Sequence, residues 1–134
     1  MARLTIRIDL DDNAAFGPGK ARLLELIELT GSIRQAAAAM DMSYRRAWLL
    51  LREIEALAKV PVIAARTGGK KGGGTVLTPE GRALVDCYRT IEAQAARSTA
   101  QQISRFAGMT KSNPDVAVHR KKVTKSKTRG AAAS

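Results

Sequence analysis

Cysteine and histidine are almost missing from these 134 residues, which contain one of each, Cys87 and His119. A single thiol cannot close an internal disulfide, and one thiol with one imidazole gives no zinc-ligand spacing. Neither a cross-linked scaffold nor a structural metal is therefore expected. Long apolar runs are lacking as well: no stretch approaches the roughly 20 residues that cross a bilayer, and no hydrophobic segment follows Arg3 as it would in a secretory signal. The expectation is a cytoplasmic protein with no membrane partner. Acids are scarce, 12 against 23 Lys and Arg, so the formal net charge is +11 and the sequence pI about 10.5. Such a surplus calls for a polyanionic partner: duplex DNA, RNA or an anionic surface.

Catalytic groupings are also wanting. The glycine-rich segment 68–74 is no P-loop, because no Lys-Ser or Lys-Thr follows at the required spacing and the segment joins strand to strand. Asp9, Asp11 and Asp12 cluster without an imidazole or a second acidic group, and read as exposed turn acids. His119 falls in a basic tail, and Cys87 is expected on the buried side of a helix, where thiols are inert. No active site, no cofactor and no enzyme activity are expected.

What the chain does have is a sequence of short, well-punctuated elements sufficient for one domain with tails. Leu4, Ile6, Ile8 and Leu10 alternate with Arg3, Thr5, Arg7 and Asp9, the period-2 pattern of an N-terminal strand with one buried face. Gly17-Pro18-Gly19 marks a turn, after which Leu23, Leu24 and Ile27 recur at helical spacing up to Gly31, a natural C-terminal cap. Ser32-Ile33-Arg34-Gln35 matches a capping box and opens a short Ala-rich helix over Ala36 to Ala39. Met40-Asp41-Met42 forms a turn, in which Asp41 tolerates a left-handed conformation. Ser43 then caps a third helix with the apolar stripe Ala47, Leu50, Leu51, Ile54 and Leu57.

Pro61 closes that helix. Val62 to Thr67 and Thr75 to Leu77 read as strands across a seven-residue loop, Gly68 to Gly74, longer than turn geometry needs. Thr78-Pro79 supplies a cap with Pro at the first helical position, and Leu84, Tyr88, Ile91 and Ala95 carry a long helix towards Phe106, ended by Gly108, Asn113 and Pro114. The organisation is a domain over residues 1–108 and a disordered basic tail over 109–134, too poor in apolar side chains to offset its ordering entropy. The fold class is mainly α with a small β component: a winged helix-turn-helix with an N-terminal strand, a β-hairpin wing and a long C-terminal helix.

In a helix-turn-helix the second helix enters the major groove while the first crosses the backbone. Ser32 and Gln35, at the start of the first helix, and Ser43, Tyr44, Arg45, Arg46, Trp48 and Arg52 on the second are the candidate DNA-binding residues. Lys70 and Lys71 join them from the wing. Arginine serves both guanine O6/N7 and phosphate, so which guanidinium does which is open at this point. Tyr44 and Trp48 have two readings, core packing and contact with the nucleic acid. From Ser43 to Lys71 there are seven basic and two acidic residues, a surplus of +5. That equals the whole net charge of residues 1–110.

The motifs Gly31-Ser32-Ile33-Arg34-Gln35-Ala36-Ala37, Met42-Ser43-Tyr44-Arg45-Arg46-Ala47-Trp48, Arg66 to Gly74 and Leu77-Thr78-Pro79-Glu80-Gly81 resemble the N-terminal DNA-binding domain of the ModE family of molybdate-responsive transcriptional regulators. More distantly, the arrangement is similar to the winged helix of LysR-type regulators. The ModE resemblance covers roughly residues 3–106. It implies a homodimer in which Leu84, Tyr88 and Ile91 lie partly at the subunit interface, bound to a palindromic operator in double-stranded DNA and acting in molybdenum-related gene regulation. Full-length members carry C-terminal oxyanion-binding domains, whereas here a Lys-rich tail is expected after residue 108. Direct binding of molybdate is therefore not expected; the open alternatives are an effector-sensing protein partner, regulation without a ligand, and a fold kept without its sensing role. The competing expectation is an architectural protein that coats nucleic acid without reading sequence.

Overall fold

The computed structural model describes residues 2–10, 14–69 and 72–110. Along the chain run β1 (Ile8–Asp9), β2 (Ala15–Phe16), α1 (Pro18–Thr30), α2 (Ile33–Ala39), α3 (Tyr44–Ala58), β3 (Ile63–Gly69), β4 (Gly72–Leu77) and α4 (Pro79–Thr110). This is the mainly α winged helix-turn-helix expected. The basic tail from Lys111 onward, with His119, and the turn acids Asp11 and Asp12 lie outside the described residues. Contacts gather Leu4–Ser98 into one unit, and, of the remaining described residues, 2–3 and 99–110 belong to a second. Within the second, the closing turns of α4 leave Phe106 and Met109 exposed.

The core lies within Leu4–Ser98. Leu23, Leu24 and Ile27 of α1 meet Leu51 and Ile54 of α3, with Val62 buried beside them. These are the positions that helical spacing assigned to the apolar stripes. Helix α1 has Pro18 at its first position and stops where Gly31 turns left-handed (φ 72°), the Gly31 N–H donating to the Ile27 carbonyl at 2.7 Å. Ala36 and Ala37 are buried in α2, small enough to let helices approach closely. Asp41 turns at φ 57°, and Lys59 ends α3 in the same left-handed region at φ 61°.

Capping at α2 differs from the expected box by one bond. The Gln35 N–H donates to Ser32 Oγ at 3.0 Å, but the Ser32 N–H turns to Thr30 Oγ1 at 3.2 Å. Thr30 thus takes the position assigned to the Gln35 amide, leaving that amide on an exposed side chain.

Four further expectations are corrected. The N-terminal strand is shorter: burial alternates from Leu4 to Asp9, but ladder pairing is confined to Ile8 with Phe16 and Asp9 with Ala15. The segment before it is held by a side chain instead, the Tyr88 hydroxyl donating to the Ile6 carbonyl at 2.8 Å. The wing strands are longer than expected, pairing through the glycines to Gly69 with Gly72, so the seven-residue loop shrinks to Lys70-Lys71. An extra residue between Arg66 and Gly69 bulges β3 on the way. Cys87 is exposed, because the buried face of α4 follows Gly81, Val85 and Tyr88 and passes it by. The helix itself continues through Gly108 to Thr110.

Among the described residues, no helix is long and apolar enough to cross a membrane.

Candidate nucleic-acid interface

The wing is fastened to the helix-turn-helix at the corner between α1 and α2. There the Thr75 N–H donates to the Gly31 carbonyl at 2.9 Å. A Cβ at Gly74 would stand 2.9 Å from that same oxygen and 3.0 Å from Arg66 Nη2, so β4 passes this corner only where it has no side chain. On the opposite flank, α4 begins against the chain that leaves α3. Thr78 caps it by accepting the Gly81 N–H at 3.0 Å, while its hydroxyl donates to the Pro61 carbonyl at 2.8 Å and its N–H to the Val62 carbonyl at 3.0 Å. The wing is therefore held at its base, beside Ile63 and Leu77, and again along β4 at Thr75.

Helix α3 begins cleanly at its cap, where the Arg46 N–H donates to Ser43 Oγ at 3.0 Å. With Ala47, Leu51 and Ile54 turned into the core, Tyr44, Arg45, Arg46, Leu49 and Arg52 point outward and are exposed. No ion pair to Arg45, Arg46 or Arg52 forms among the described residues. The acids of the same helix are spent elsewhere. Glu53 pairs with Lys20 at 3.1 Å, and Glu55 Oε2 accepts the Val62 N–H at 3.0 Å. Acids of α1 are occupied on the α4 side, where Arg82 pairs with Glu28, and Arg89 grips Glu25 through Nε at 3.0 Å and Nη2 at 2.9 Å. The acids of α1 and α3 are thus engaged by Lys20, Arg82, Arg89 and the Val62 amide, while Arg45, Arg46 and Arg52 stand free on α3.

Electrostatics follow these pairings. The hydrogen bonds from Arg89 hold the Glu25 carboxyl below its ordinary range, and Glu25 in turn stabilises the charged Arg89 guanidinium. Loss of solvent around Tyr88 pushes its phenol up.

Tyr44 and Trp48 keep 39% and 38% of their surface in water, so neither is a core residue. Their rings meet edge to face at 6.2 Å and 85°. The guanidinium of Arg34 lies over the Tyr44 ring, 4.3 Å from its centre. These three side chains line one wall of an open groove of about 530 Å³, whose other wall is the wing backbone around Ala65 and Gly74. Arg34 was not among the residues singled out by the sequence. Its neighbour in the capping box drew attention, but the crossing of α2 and α3 that brings residue 34 over residue 44 has no local signature.

Of the other expected site residues, Ser32 and Ser43 are occupied as caps, and Gln35 is exposed one turn into α2. Lys70 and Lys71 lie outside the described residues. The three apolar residues of α4 differ from one another. Tyr88 is only 2% exposed and packs edge to face on Phe16 at 5.2 Å, Leu84 is half-buried against the core, and Ile91 is exposed. No group of three or more metal-ligating side chains exists among the described residues.

Comparison with known proteins points one way. The chain is 39% identical over 94 residues to the molybdenum transport protein ModE of Azotobacter vinelandii, a match covering 70% of this chain and 34% of that protein. It is 43% identical over 84 residues to the molybdenum-pterin-binding protein MopB of Rhodobacter capsulatus, covering 63% and 31%. The DNA-binding transcriptional dual regulator ModE of Escherichia coli is 36% identical over 87 residues, covering 65% and 33%. The chain thus spans about a third of the length of these curated relatives. No family model matches it. Over the matched residues, the chain is a ModE-like domain.

Proposed function

We propose that this chain is a DNA-binding transcriptional regulator that reads its operator with the exposed, arginine-bearing face of α3. The observation that carries the reading is the free, outward set Arg45, Arg46 and Arg52 on a helix whose acids are all engaged elsewhere. A capped helix of this kind presents its first turns to base edges in the major groove, while α2 crosses the phosphate backbone and the wing lies alongside. Tyr44, Trp48, Ser32, Gln35 and Ser43 belong to the same footprint, to which Lys70 and Lys71, between the wing strands in sequence, add positive charge.

Two copies bind together, so that two recognition helices meet the two halves of a palindromic operator. The exposed Ile91 and half-buried Leu84 supply apolar surface for the pairing, and Tyr88 stiffens the same helix from inside. The relatives' names, which refer to molybdenum and to transcription, support molybdenum-related genes as the target.

Selection of bound fragments from random duplex DNA tests the reading. A short palindromic consensus is expected. Bound fragments with no shared sequence would replace it with the architectural alternative.

A further inference from the structure

Resting on the DNA-binding reading, we infer that the groove between α3 and the wing seats one sugar-phosphate strand, with Arg34 as its phosphate ligand and Tyr44 as the residue that positions Arg34. Four observations converge on this groove. Arg34 belongs to α2, the helix that crosses the backbone, and is exposed with no carboxylate partner among the described residues. Its guanidinium is nonetheless held in place, 4.3 Å above the face of Tyr44. A guanidinium over an aromatic face makes no hydrogen bond to the ring atoms, so its N–H donors remain available to the oxygens of a phosphate, and the contact gives up part of the rotamer freedom that binding would otherwise cost.

Opposite Arg34 the groove is bounded by Ala65, Gly73 and Gly74, residues too small to obstruct a strand. Trp48 completes the wall one helical turn from Tyr44, its ring edge-on to the tyrosine and over a third exposed. Since the phosphate is common to every nucleotide, the seat contributes affinity and register, not sequence choice. That separates it from the arginines of α3. Tyr44 acts through Arg34 and is a positioning residue: its ring face matters and its hydroxyl does not.

The full chain, titrated with a selected duplex and with a scrambled one over a range of salt, tests the assignment. Arg34→Ala is expected to weaken both duplexes by the same factor and to flatten the slope of log affinity against log salt by about one. Tyr44→Leu should reproduce part of that loss, Tyr44→Phe should restore most of what Tyr44→Leu loses, and Tyr44→Leu should add little once Arg34 is already alanine. Trp48 is the sole tryptophan, so its emission reports groove occupancy and should change on saturation with either duplex. Wild-type binding with an unaltered slope in Arg34→Ala would overturn the inference while leaving the DNA-binding reading intact. So would strictly additive losses at 34 and 44, or a silent tryptophan. If the wild-type chain binds no duplex even at low salt, both readings fall.

Discussion

The Gly31 carbonyl accepts the Thr75 N–H at 2.9 Å, and this one bond joins the left-handed end of α1 to the wing strand β4. Gly31 therefore has two tasks. It turns the chain into α2, and it offers the oxygen that docks the wing beside the helix-turn-helix.

The docking gives Gly74 a testable role. In Gly74→Ala, the new methyl would meet the Gly31 oxygen at 2.9 Å and Arg66 Nη2 at 3.0 Å. Arg66 can swing aside, but the oxygen is fixed by Thr75. Overpacking of this kind costs about 1 to 3 kcal/mol. Urea denaturation should show that loss, and the wing should lose register with α3. Wild-type stability would mean that the corner has room.

Gly81 supplies a sharper case, because two effects predict opposite signs. Alanine is the better helix former by about 1 kcal/mol, so propensity alone favours Gly81→Ala. Yet a Cβ there would overlap the Val62 carbonyl oxygen, the acceptor of the Thr78 N–H. Backbone on both sides leaves no easy retreat. The substitution should destabilise by more than Gly74→Ala, with the melting temperature as the readout, whereas stabilisation would contradict the close approach of α4 to the 61–62 segment.

Acid sensitivity should trace to Glu25. Its carboxyl is held below the ordinary value of 4.5, chiefly by hydrogen bonds from Arg89. A lowered carboxyl pKa in the folded state adds stability above the unfolded value and loses it as the pH falls through the folded one. Stability should therefore decline as the pH drops below about 4.5. Both partners are about a third exposed, so the pair contributes only about 1 kcal/mol. Replacing Arg89 by alanine should lower stability at pH 7 and flatten the acid decline. An unchanged acid profile in that variant would assign the decline to other carboxylates.

Much of this architecture was legible in the residues themselves. Capping serines at 32 and 43, Gly31 and the apolar stripes of α1 and α3 each encode local geometry, and local geometry can be read from spacing. Elements set by partners distant in sequence could not be read this way. The long pairing of the glycine strands depends on β3 and β4 supporting one another, which the composition of 68–74 does not announce. Helix α4 runs past Gly108 because one glycine costs only about 1 kcal/mol in an otherwise favourable helix. Arg34 escaped notice because its partner Tyr44 lies across the turn, and the angle between α2 and α3 decides their meeting. Tyr44 and Trp48 were ambiguous for a related reason: helical phase puts them at the edge of the buried stripe, and only the packed structure shows how far they reach into water.

The guanidinium groups standing free on α3 are proposed to read bases. The most direct test of this role measures the affinities of the wild-type chain, Arg45→Ala and Arg52→Ala for a selected duplex, its single-base variants and a scrambled duplex at one salt concentration. At least one of the two substitutions should cost about 1 to 3 kcal/mol on the selected duplex and erase discrimination at a single base pair. Equal losses on selected and scrambled duplexes for both substitutions would contradict that role, leaving α3 a phosphate-binding surface only.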